Sequence, residues 1–137
     1  MGLEMLERSS DALTGCRFIV ATPREMIGAN LRHALKREGG ADDVAIKSGP
    51  EALSLINDGY KPDAVICDFH LDLITGPQMV NFLNQEKQWT PIPKVMFVHE
   101  NDQDAIQASL RCGVKGIILF PFTVATAIKV VKRAIGR

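Results

Sequence analysis

The chain predicts an α/β domain: one parallel five-stranded sheet with five helices shared between its two faces. Two observations carry this. Short apolar runs such as Ala64-Val65-Ile66-Cys67 and Gly116-Ile117-Ile118-Leu119 alternate with longer stretches of helical periodicity. The runs are apolar throughout rather than at every second position, as strands buried on both sides require. At 137 residues, 46% hydrophobic and 23% charged, the chain is long enough for one such core.

Residues 1–15 are expected as a leader, either a short helix or a tail, with a sparse apolar set at Leu3, Met5, Leu6 and Leu13. The domain is expected over 16–137. Arg17 to Ala21 reads as the first strand. Glu25 to Arg37 reads as a helix with Ile27, Leu31, Ala34 and Leu35 on one face, stopped by Gly39-Gly40. Asp43 to Lys47 is a short strand. Pro50 sits where a helix start tolerates its missing N–H, and Gly59 ends that helix. Pro62-Asp63 leads into the central strand, which ends at Asp68.

The rhythm then repeats. Pro77 to about Lys87 is a helix with Met79, Val80 and Leu83 inward. Trp89-Thr90-Pro91-Ile92-Pro93 is a stiff connection, because each proline restricts the residue before it. Lys94 to Val98 is a strand, Gln103 to Cys112 a helix stopped at Gly113, Gly116 to Phe120 the fifth strand, and Val124 to Ile135 the last helix. Right-handed crossovers then give the flavodoxin-like strand order 2-1-3-4-5.

Composition narrows the function. Formal net charge is zero, without the basic excess of a nucleic-acid binder. No apolar run approaches the ~20 residues of a membrane helix. Glu4, Glu7 and Arg8 interrupt the N-terminus where a signal peptide would be apolar, so a cytoplasmic protein is expected. Cys16, Cys67 and Cys112 have no metal-ligand or framework spacing and read as reduced, packed thiols.

In such a sheet, chemistry collects at the carboxyl ends of the strands. The tips there are Ala21-Thr22, Asp68, Val98-His99 and Phe120. Pro62-Asp63 leading into Asp68, the eight-residue step from Asp68 to Gly76, Gly113, and Phe120-Pro121-Phe122 together resemble a response-regulator receiver domain, CheY-like, over roughly residues 16–136. The resemblance implies a phosphoacceptor at Asp68. It also implies an acid pair for Mg²⁺ after the first strand, a Lys after the fifth, and a hydroxyl after the fourth. This chain has Ala21 and Thr22, Phe120, and Val98 or His99 at those positions. Ile117 stands where the family's switch aromatic belongs.

Mg²⁺ takes hard oxygen ligands, usually carboxylates, and one carboxylate is a poor set. With its partners missing, Asp68 is expected as a solvated strand-end carboxylate. The domain is therefore expected to be a non-enzymatic pseudoreceiver of a two-component or phosphorelay system that binds Mg²⁺ weakly or not at all. Two alternatives are a conventional regulator phosphorylated on Asp68 by a histidine kinase and a flavodoxin-like small-ligand domain. The last helix carries an apolar stripe of ~160°, against ≳100° for an ordinary surface helix. Its margin at Ala127, Val130 and Ala134 is the expected interface. The resemblance implies a homodimer, or a kinase, phosphotransferase or output partner, meeting the fourth helix, fifth strand and fifth helix.

Overall fold

A computed structural model describes residues 12–137. The strands are β1 Arg17–Ala21, β2 Asp43–Lys47, β3 Ala64–Asp68, β4 Lys94–His99 and β5 Gly116–Phe120. They form one parallel sheet in the order β2-β1-β3-β4-β5. The helices are α1 Glu25–Arg32, α2 Gly49–Asn57, α3 Gly76–Gln85, α4 Gln103–Arg111 and α5 Val124–Ala134. α1 continues into a π-helical segment, His33–Glu38, a widening that the sequence does not announce.

Strand pleating divides the core in two. Phe18, Val20, Ile66, Phe97 and Ile118 meet Ile27 and Leu31 of α1 and Ala127 and Val131 of α5. Ile19, Val65, Cys67, Met96 and Val98 meet α2, α3 and α4 on the other face. Successive strand residues point to opposite faces, so continuous apolar runs were needed to fill both.

Two of the helices opposite α1 and α5, α2 and α3, share a start signal. Ser48-Gly49-Pro50-Glu51 and Thr75-Gly76-Pro77-Gln78 both form complete capping boxes, each hydroxyl and each N3 side chain satisfying the other residue's backbone N–H. The Thr75 box closes the loop that begins at Asp68, and Gly76 N donates to Phe69 O at 2.9 Å.

The leader expectation lies mostly outside the described residues, at 1–11. Of the rest, Leu13 is fully buried in the core, and its N–H donates to Gly39 O at 2.8 Å. The interface expectation needs correction. Ala127 has no exposed surface and belongs to the core. Val130 and Ala134 are half-buried and packed against that core. The Cβ of an alanine at Gly116 would lie 2.8 Å from Val130 Cγ1, so β5 leaves this margin no room. The wide stripe is consumed by the sheet on one side and the π-helical segment on the other.

Candidate functional site

Asp68 ends β3 with no exposed surface at all. The expectation of a solvated carboxylate was wrong, and the reason is Arg24. β1 ends at Ala21, and the chain turns through Thr22 and Pro23 before α1 begins. Arg24 N donates to Thr22 Oγ1 at 3.0 Å, which fixes the turn. The turn carries the Arg24 side chain back over the strand tips. There its Nε donates to Asp68 Oδ2 and its Nη2 to Asp68 Oδ1, both at 2.7 Å. This is the two-pronged match of guanidinium to carboxylate that a lysine cannot make.

Two more donors complete the carboxylate. Thr22 Oγ1 donates to Oδ2 at 2.8 Å, and the His70 backbone N–H donates to Oδ1 at 2.9 Å. An ionised carboxylate has about four lone-pair sites, and each is matched here by one donor. No buried side-chain polar atom among the described residues lacks a partner.

The guanidinium is itself cradled. Its Cζ lies 5.9 Å from the Phe97 ring centroid and 6.0 Å from that of Phe120, at the outer edge of cation–π attraction. Phe120 packs in turn against His99 and Phe122, with ring centroids 6.0 and 6.2 Å away. The Phe120–Pro121 peptide bond is cis. Phe120 thus forms part of the wall behind a cation supplied from the opposite edge of the site.

β4 settles which of its last residues stands at the tip. Val98 points into the second core cluster, whereas His99 is exposed and pairs in register with Phe120. His99 Nδ1 accepts from the Asn101 N–H at 3.1 Å. No hydroxyl of β4 reaches Asp68. Ile117 is half-buried in the second cluster. Ala21 is wholly buried and offers a methyl group to that cluster. The His70 side chain reaches Asp102 Oδ2 at 3.4 Å, and Asp102 caps α4 through the Ala105 N–H.

The donor set does not fit Mg²⁺. The positions that would hold it offer a buried methyl at Ala21 and a committed hydroxyl at Thr22. The one carboxylate already carries a cation 2.7 Å away. Among the described residues, no group of three or more His, Cys, Asp or Glu side chains could hold a metal ion.

Residues 19–132 match the family model of the response regulator receiver domain. The chain belongs to this family. It is 26% identical over 93 residues to the chemotaxis protein CheY homolog of Campylobacter jejuni, covering 68% of this chain and 72% of that one. It is 33% identical over 82 residues to the regulator of RpoS of Escherichia coli, covering 60% of this chain and 23% of that protein. A candidate response regulator from Chloroflexus aurantiacus superimposes with a TM-score of 0.83 at 26% identity, covering 89% of this chain and 98% of that one. This receiver domain is therefore part of two-component signalling, and none of its described helices is long and apolar enough to cross a membrane.

Arg24 is the site residue that sequence reasoning missed. A signal for it existed. A carboxylate at a strand tip, stripped of its expected cation, needs another within reach, and Arg24 stands just past the loop of the neighbouring strand.

Proposed function

We propose that this receiver domain is a pseudoreceiver that signals through protein–protein contact, without Mg²⁺-dependent phosphorylation of Asp68. The observation that carries the reading is the complete occupation of Asp68. Phosphoryl transfer needs a carboxylate oxygen free to attack and cations placed to neutralise the charge that builds on the transferred group. Here both oxygens are engaged, the carboxylate is buried, and Arg24 spends its charge on the acceptor itself.

The partner would be a kinase, phosphotransferase or output protein, or a second copy of the chain, meeting α4, β5 and α5. Support comes from Leu110 on α4 and Leu119 on β5, which are 61% and 42% exposed. Leu119 lies two residues from Ile117, on the sheet face that α4 covers, and Leu110 lies one turn from Ile106 in the same cluster. This cytoplasmic, non-enzymatic role needs no cofactor.

Acetyl phosphate with Mg²⁺ should leave the intact mass unchanged, with Asp68→Asn as control. A phosphoryl adduct present in the wild type and lost in Asp68→Asn would instead establish a conventional, kinase-driven regulator.

A further inference from the structure

A cavity of about 420 Å³ opens at the amino ends of β3 and β4, at the opposite edge of the sheet from Asp68. It lies between the turn that leaves α2 and the connection from α3 to β4. Ile56, Pro62 and Ile92 give it apolar surface, and Tyr60 and Trp89 line it from the two segments. Lys61 is the one charged residue in the lining, which holds no carboxylate.

Both aromatic residues are held in place. Tyr60 OH donates to Asp43 Oδ2 at 2.9 Å, the Tyr60 N–H donates to Leu55 O at 3.1 Å, and Arg17 Cζ lies 4.2 Å from the ring centroid. Trp89 stacks on Phe82 of α3 with centroids 6.2 Å apart, and its N–H donates to Glu86 O at 3.0 Å. The buried Lys94 ammonium donates to Trp89 O at 2.7 Å. Its other two acceptors, Asn84 Oδ1 and Thr90 O, belong to the end of α3 and to the same connection. A buried ammonium held only by neutral oxygens is costly, and what it secures here is the segment that carries Trp89. Walls fixed before a ligand arrives reduce the ordering that binding must impose.

We propose that this cavity is a binding site for a small planar aromatic acid. Its volume falls within the ~300–1,000 Å³ of small-molecule sites, which are mostly apolar with a few placed polar groups. Tyr60 and Trp89 offer rings against which a flat ligand can pack. Lys61 offers a carboxylate its counter-charge, with no acid in the lining to compete for it. The site is separate from Asp68, and the proposal holds whether or not Asp68 accepts phosphate.

The test follows amide and indole N–H shifts of the full chain as naphthoate is added. Trp89 is the only tryptophan, so its indole signal is unambiguous. Saturable shifts at Trp89, Lys61 and Gly59 are expected, with a midpoint of about 1 mM or below, ordinary for a ligand of this size. Lys61 is exposed, and Lys61→Ala should raise that midpoint roughly three- to five-fold. The neutral naphthylmethanol should bind the wild type more weakly than naphthoate does, and should bind wild type and variant equally. No saturable shift up to ~5 mM naphthoate overturns the proposal. Shifts centred away from these residues overturn it too, as does an alcohol that binds as tightly as the acid.

Discussion

Arg24 and Asp68 stand 44 residues apart in sequence and share two hydrogen bonds of 2.7 Å, one partner 40% exposed and the other fully buried. That asymmetry dictates how the pair responds to mutation. Arg24→Ala strands a buried carboxylate and should cost ~3–5 kcal/mol, nearer the lower figure because Thr22 and His70 still donate. Asp68→Asn lets Arg24 swing into water and should cost only ~1–2 kcal/mol. The double variant should cost less than the sum by at least ~1 kcal/mol, a coupling that urea unfolding measures. Additive losses would mean that the pair contributes nothing as a pair.

Metal binding gives a second expectation. Ala21→Asp, Thr22→Asp and Phe120→Lys together should not restore Mg²⁺ binding while Arg24 remains, because the cation already in place repels another and holds Asp68. Adding Arg24→Ser should bring saturable Mg²⁺-dependent amide shifts at positions 68 and 22. A triple variant that binds Mg²⁺ as well as the quadruple one would remove Arg24 from the explanation.

Lys94 provides a pH dependence. It opens β4 almost fully buried, and its Nζ donates to Asn84 Oδ1 and Trp89 O at 2.7 Å and to Thr90 O at 3.2 Å. No carboxylate takes part. Burial lowers its pKa from an ordinary value of 10.5 to about 8. Between those values the unfolded chain binds more protons than the folded one, so this lysine makes stability rise with pH across that window. The penalty for burying its charge is fully present below about 8. Lys94→Met should flatten the rise, as read from unfolding midpoints between pH 7.5 and 10. An unchanged slope would assign the rise to other groups.

The two helix starts with the same pattern should differ sharply under the same substitution. At Gly76, an alanine Cβ would lie 2.6 Å from Met96 Sδ, 2.7 Å from the Asp68 carbonyl oxygen and 2.9 Å from Phe69 Cα. Two of these are backbone atoms of the loop that shapes the site. At Gly49 the nearest atoms are side-chain carbons of Ile74 and Leu71 at 3.3–3.4 Å, which can give. Gly76→Ala should therefore cost ~3 kcal/mol, the upper end for overpacking, and Gly49→Ala no more than ~1 kcal/mol. Equal midpoints in thermal unfolding would refute the distinction.

The strands were legible because two-sided burial leaves an unmistakable run of apolar residues, and Asp68 was legible because it interrupts one. The helix ends were legible where a proline or glycine marks them, as at Pro50 and Gly59. Arg24 was not, since a charged residue in a turn looks the same whether it faces water or folds back on a carboxylate across the sheet. Ala127 was misjudged because a stripe's width counts apolar positions but does not say which margin the neighbouring elements cover. Lys94 looked like a strand boundary. Its burial depends on the Trp89-Thr90 carbonyls, whose direction is set by tertiary structure rather than by local propensity.

On the pseudoreceiver reading, the closure of Arg24 on Asp68 would also stand in the way of gaining a metal site. A single acid introduced at Ala21 or Thr22 would meet a guanidinium already at hand and would be drawn into its hydrogen-bond network. Removing Arg24 first would leave Asp68 buried without a cation, held only by Thr22 and the His70 N–H. On that reading the pair would act as a latch that ties the tip of β3 to the turn after β1.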